Sequence, residues 1–280
     1  MNQNYECFQL SIQAQIAHIQ LSRPEKANSL NLSFWREFPQ VIQQLHKSGQ
    51  IRALIISAQG KVFCGGLDLS MFSNQAEFHA QNAVARESIM QSLALMQDAL
   101  TCLEKVRFPV IAAVHGSCVG AGFDLIAACD FCFVTPQAKF RIEETNIGMM
   151  ADIGVLQRIP HQIPFNLARY LAFTGDTLLA EDAYRLGLAV KILETPEALL
   201  EHSFSIAKNI AVKPPVAMQG IKRSLLYSRD HNVAQALDHT VMLQSAILNG
   251  QDILTMVQSR MSEASPQFEN LHPIQFAETQ

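Results

Sequence analysis

Three carboxylates stand close together in the chain, each among apolar or small neighbours: Asp124 between Phe123 and Leu125, Glu144 beside Thr145 and Ile147, and Asp152 between Ala151 and Ile153. Acids in such company either cap backbone or move protons. Two glycine-containing turns accompany them, Phe63–Leu67 with Gly65 and Gly66, and Gly116–Gly122 with Gly120 between. Each turn follows a short apolar run that reads as a buried strand, Ala53–Ile56 and Val110–Val114. If those strands are neighbours, both turns open at one sheet edge and their amides can converge on one oxygen. That is the layout of an oxyanion hole, whose fixed N–H donors stabilise charge developing on a carbonyl oxygen. Carboxylates beside such a hole can move protons on the carbon next to the carbonyl, because the enolate is what the hole holds. No metal is needed. Singly, each glycine also marks an ordinary turn and each acid also caps a helix; their joint occurrence is what points to chemistry.

The elements that must hold these groups follow from periodicity. Cys7–Ile12 and Ile16–Leu21 alternate apolar and polar residues, which predicts a hairpin. After a loop at 22–28, Asn31 or Ser33 caps a helix over Phe34–Leu45. A polar stretch at 72–82 reads as a mobile connection, and the helix after it aligns Ile89, Leu93, Met96, Leu100 and Leu103. Phe123–Cys129 has the spacing of a short buried helix, and the Cys129/Cys132 pair reads as core packing at the entry to a strand. Helices are then predicted over Phe165–Phe173, Ala180–Leu186, Glu197–Ile210, Pro215–Tyr227 and Asn232–Met261, the last broken at Asn249-Gly250, with a strand at Ala189–Leu193. Strands alternating with helices make the fold class α/β, and the strand-free end predicts a helical subdomain. The division expected is a core over 1–200, a helical oligomerisation region over 201–265 and a loosely attached tail over 266–280.

Composition narrows the class. At 280 residues, 49% of them hydrophobic, the chain can bury a large core, and a net charge of −4 gives no basic footprint for nucleic acid. No apolar run is long enough to span a membrane, and the start lacks the pattern of a secretory signal. The six cysteines lie mostly in apolar runs, as buried thiols of a reducing compartment do. The chain ends Glu278-Thr279-Gln280 rather than in a peroxisomal tripeptide, so a cytoplasmic location is the expectation.

The motifs carry a resemblance. Phe63-Cys64-Gly65-Gly66-Leu67-Asp68-Leu69 and His115-Gly116-Ser117-Cys118-Val119-Gly120-Ala121-Gly122-Phe123-Asp124-Leu125 are similar to the two signature turns of the crotonase (enoyl-CoA hydratase/isomerase) superfamily. The likeness runs from about Leu21 to Met261. Asp124, Glu144 and Asp152 in this register resemble the acid set of the Δ3,5-Δ2,4-dienoyl-CoA isomerases. So do Met150-Ala151-Asp152-Ile153-Gly154 and Leu226-Tyr227-Ser228-Arg229-Asp230-His231. Typical hydratases carry Glu where Asp124 stands and no acid near 152. Asn146 departs from the isomerases, which often have another acid there.

The resemblance implies a crotonase-like ββα spiral core with a C-terminal helical subdomain that assembles trimers or hexamers. It implies an acyl-CoA thioester substrate, with no separate cofactor, no metal, no nucleic acid and no membrane. The thioester oxygen would be held by the amides of Gly65 and Ala121, with Phe63, Cys64, Gly66 and Leu67 also at the substrate. The reaction implied is isomerisation of 3,5-dienoyl-CoA to 2,4-dienoyl-CoA in fatty-acid β-oxidation. It asks for one proton taken at C2 and one returned at C6, which two separated acids serve better than one. Glu144 would act at C2, Asp152 at C6, and Asp124 would tune the set. The competing readings are a 2-enoyl-CoA hydratase or a Δ3-Δ2-enoyl-CoA isomerase, a non-catalytic binding protein, and a hydrolase with Cys118 as nucleophile and His161, His202 or His231 as base. Arg23, Lys26 and Lys61 are possible contacts for the CoA phosphates. The Lys222-Arg223 pair reads as solvated surface.

Overall fold

The computed structural model describes residues 2–72 and 82–275. Its frame is a seven-stranded sheet in the order β1-β2-β3-β4-β5-β7-β10. The strands are β1 (Asn2–Asn4), β2 (Phe8–Gln13), β3 (Ile16–Leu21), β4 (Ala53–Ala58), β5 (Val110–Val114), β7 (Phe131–Val134) and β10 (Ala189–Ile192). The hairpin predicted at the start is β2–β3, closed by Ala14 and Gln15, both at positive φ. From β3 onward every pairing in this sheet is parallel. Parallel strands are covered on both faces, which is why β4 and β5 read as unbroken apolar runs. Leu54, Ile56, Val110, Ala112 and Val114 face the main core, while Ala53, Ile55, Ile111 and Ala113 face a second one.

Helix α1 (Leu32–Ser48) and helix α2 (Ala83–Lys105) close the main core. Asn31 is the α1 cap, its side chain accepting from Phe34 N. Asn82 caps α2 in the same way; the mobile connection expected at 72–82 otherwise lies outside the described residues, save for Phe72 at the end of a 3₁₀ turn. A second, three-stranded sheet is formed by β6 (Ser117–Val119), β8 (Lys139–Arg141) and β9 (Thr177–Leu179). Between β6 and β7 lies the short helix α3 (Ala121–Ala127). Helices α4 (Val155–Arg158), α5 (Phe165–Thr174) and α6 (Ala180–Leu186) follow.

Helix α7 (Pro196–Ala211) runs through position 200, where the core was expected to end. Its Leu199 and Ala207 are buried in the second core against Ile55, Ile111 and Phe133, so the helix belongs to the sheet. The helical region proper is α8 (Pro215–Asp230), α9 (Val233–Ile247) and α10 (Gly250–Ser262). Lys222 corrects a further expectation. It is buried, not solvated: its Nζ pairs with Asp130 Oδ2 at 2.6 Å and donates to Leu103 O at 2.7 Å. The tail differs as well. Arg52 Nη2 donates to Phe268 O, Glu269 O and Asn270 Oδ1, and Ile274 N donates to Lys47 O at 2.8 Å, so the chain is pinned to the core as far as 274.

Candidate active site

β4 and β5 are neighbours, as the two-turn layout requires. The turn after β4 is laid beside β6 by a parallel bridge, with Cys64 N donating to Ser117 O at 3.1 Å and Val119 N to Cys64 O at 2.9 Å. Gly66, at φ +95°, comes so close to the second turn that a Cβ there would lie 3.1 Å from Val119 O and 3.8 Å from Ala121 N. A side chain at 66 would stand between the two turns, so glycine is required on both counts.

Gly65 is not the donor that this turn offers. Its N–H donates to Ala27 O at 2.8 Å, an acceptor aimed by the positive φ of Ala27 and Asn28. The neighbouring Leu67 amide has no acceptor among the described residues, and neither has the Ala121 amide, which opens α3. The first amides of a helix lack an intrahelical partner. The free pair is therefore Leu67 and Ala121. The side chains of Phe63 and Cys64, expected at the substrate, are instead fully buried in the core, with Cys64 Sγ on Asn28 O. Asp68 and Arg23 brace the turn. Ser70, whose N–H donates to Asp68 Oδ1 at 3.0 Å, and then Ser29 Oγ at 3.0 Å and Arg23 Nη2 at 3.1 Å on Oδ2 hold that carboxyl far below the usual range. That engagement removes Arg23 from the CoA candidates; Lys26 and Lys61 remain exposed.

The three acids are brought together. Asp124 lies on the first turn of α3, 1% exposed, with Oδ1 accepting from Val155 N at 2.6 Å and Oδ2 buried without a partner. Burial first, then the charge of Glu144, pushes its pKa up to about 7. Glu144 opens the 3₁₀ turn Glu144–Ile147 and is 8% exposed; its Oε2 too is buried and unpartnered. Its Oε1 would lie 3.1 Å from a Cβ on Gly120, whose φ of +52° also demands glycine. This puts the Glu144 carboxylate against the residue that precedes the free Ala121 amide. Burial and the charge of Asp152 raise its pKa. Asp152 is half-buried between buried Ala151 and Ile153, and its carbonyl accepts from Gln97 Nε2 of α2 at 2.6 Å. Burial raises its pKa as well. Three carboxyls in mutual range, each held above its ordinary value, form a set that can take up and pass on protons.

Other candidates fall away from this centre. Cys118 is fully buried on β6, and burial lifts its thiol well above the ordinary value, so the nucleophile reading fails. Of the bases it would need, His202 packs on Phe133 at 4.9 Å and His231 on Tyr227 at 3.7 Å between ring centroids. Asn146 turns away from Glu144, its Nδ2 donating to Gly175 O and Glu143 Oε2. Sequence reading missed the Leu67 amide and the Val155 amide that caps Asp124. Neither had a signal in the sequence, because which N–H is engaged is set by backbone geometry.

Comparison with known proteins accords with this geometry. The enoyl-CoA hydratase/isomerase family model matches residues 11–270. The chain is 38% identical over 264 residues to the mitochondrial Δ(3,5)-Δ(2,4)-dienoyl-CoA isomerase of Mus musculus, covering 93% of this chain and 81% of that one. To the peroxisomal Δ(3,5)-Δ(2,4)-dienoyl-CoA isomerase of Arabidopsis thaliana it is 35% identical, covering 95% and 97%. The crystal structure of an enoyl-CoA hydratase from Bacillus anthracis superposes with a TM-score of 0.84 at 24% identity, over 94% of this chain and 99% of that chain, which speaks for the fold. The acids, the two converging turns and these matches agree: the chain belongs to the enoyl-CoA hydratase/isomerase (crotonase) family.

Proposed function

We propose that this enzyme isomerises 3,5-dienoyl-CoA to 2,4-dienoyl-CoA. The observation that carries the reading is the third acid, Asp152, brought into range of Glu144 and Asp124 beside the two free amides. Relatives 35–38% identical over more than nine-tenths of the chain carry that activity in their names.

The thioester oxygen sits between the N–H groups of Leu67 and Ala121. Ionised Glu144 takes the proton at C2, and the electron pair runs into the carbonyl as an extended enolate that the two amides hold. Protonated Asp152 returns a proton at C6, and the double bonds settle at 2 and 4. Glu144 ends protonated and Asp152 ionised, so one proton exchange with solvent resets the pair. Asp124, locked to Val155, keeps the set coupled rather than touching the acyl chain. The exposed apolar faces of α8, α9 and α10 support assembly into trimers, or hexamers of paired trimers.

The test is ultraviolet absorbance of the conjugated product during incubation with a 3,5-dienoyl-CoA. Asp152→Asn keeps size and polarity but cannot exchange a proton, so isomerisation should fall by at least ~10². Exchange of the C2 proton with deuterated solvent should survive in that variant, and Glu144→Gln should abolish both. Near wild-type isomerisation by Asp152→Asn, together with good hydration of a 2-enoyl-CoA, would sink the reading.

A further inference from the structure

The stretch Leu226–His231 ends α8 and is remote in sequence from every acid of the site, yet it is tied to them by buried charge. Arg229 Nη1 pairs with Glu104 Oε1. Glu104, on the last turns of α2, also takes Arg158 in a two-pronged pair: Nε on Oε1 and Nη2 on Oε2, both at 3.1 Å, with the side chains 9% and 11% exposed. Arg158 Nη2 donates in addition to Thr101 Oγ1 at 2.9 Å. At its other side the guanidinium lies against Gly154, where any Cβ would overlap Nη1. Gly154 sits two residues after Asp152 and one before Val155, whose N–H holds Asp124. A bidentate, buried guanidinium with a second cation behind its partner has little freedom to move. The backbone it supports carries one acid of the site and the donor to another.

We propose that Arg158, fixed by Glu104 and through it by Arg229, is a positioning residue: it seats the 152–155 segment and is a cation set against Asp124. The proposal rests on the isomerase reading for its kinetic consequence alone. The groups facing Asp124 are Glu144, Asp152 and Arg158, with the neutral Cys118 thiol on β6 behind it. Those facing Arg158 are Asp124, the Cys129 thiol just past α3, Glu104 from α2 and, beyond it, Arg229 from α8, itself paired with Asp230. Arg158 works against the upward push on Asp124. Without that charge Asp124 should hold its proton to higher pH.

The experiment reads Asp124 without substrate. The infrared band of its protonated carboxyl, assigned by its loss in Asp124→Asn, is titrated in the intact enzyme. Arg158→Met should raise the midpoint by about half a pH unit or more, and Arg158→Lys, which keeps the charge but not the two-pronged pair, should raise it less. Arg229→Met removes a cation at a part-exposed position and should give a smaller rise in the same direction, which decides the matter if Arg158→Met does not fold. In the kinetic arm, the acid limb of kcat for the dienoyl-CoA should move with the infrared midpoint while KM stays near wild type. Midpoints that stay put in the Met variants that fold, or move equally in Arg158→Lys and Arg158→Met, would overturn the proposal. If the midpoints move as expected but the wild type isomerises no diene, the positioning role stands and the substrate class fails.

Discussion

Which amide a turn leaves free depends on what the neighbouring loop takes. Gly65 gives its N–H to Ala27 O, and the next acceptor-free amide in that turn beside Ala121 is Leu67. The two positions should therefore respond differently to proline. Leu67→Pro removes a donor to the thioester oxygen and should lower kcat by ~10²–10³, whereas Leu67→Ala keeps the N–H and should keep most of the rate. Gly65→Pro removes a structural hydrogen bond, so its first effect should be a lower melting temperature. Steady-state kinetics and thermal melts on the three variants check this, and a Leu67→Pro rate within a few-fold of Leu67→Ala would put the hole elsewhere. The sequence disclosed the acids and both turns because glycines and carboxylates are visible as letters. It could not disclose which N–H was engaged, because Ala27 O is aimed by a left-handed backbone conformation that alanine rarely adopts.

Elements with a strong period were legible, and those defined by long-range pairing were not. Asn31 before the apolar spacing of α1 gave its start, and Ala180–Leu186 reads the same in sequence and structure. Strand β6 is only Ser117-Cys118-Val119, and its partner β8 lies twenty-odd residues away, so nothing local marks it. Lys222 was misread for the same reason: beside Arg223 it looks like surface, and its partners Asp130, Leu103 and Phe108 come from elsewhere in the chain. Its Nζ joins α8 to the end of α2 and the start of β5, whose Val110 N–H also falls on Asp130. Lys222→Met leaves that carboxylate short of its cation and two carbonyls without a donor. Because Asp130 is partly exposed, the loss should sit at the low end for a broken buried pair, about 3 kcal/mol by urea unfolding. A change within error would mean that α8 is held by its apolar contacts alone.

On the scale of the molecule, the helical region carries an exposed apolar stripe. Val233, Leu237 and Val241 follow one another at i, i+4 and i+8 along α9, and all are more than 60% exposed. A stripe of that kind wants a partner. Light scattering should give a trimer or a multiple of it for the wild type, and Leu237→Glu with Val241→Glu should shift it toward monomer; a monomeric wild type would remove the proposed assembly. The opposite end of the chain is finished only from within. The acceptors of Arg52 Nη2, on a guanidinium at the start of β4, all come from Phe268, Glu269 and Asn270. During synthesis, then, the Arg52 guanidinium waits for residues 216 to 218 positions further on before it has these acceptors. Any chain that stops short of residue 268 leaves that guanidinium without these three acceptors, so the seam beside Gln50 stays open.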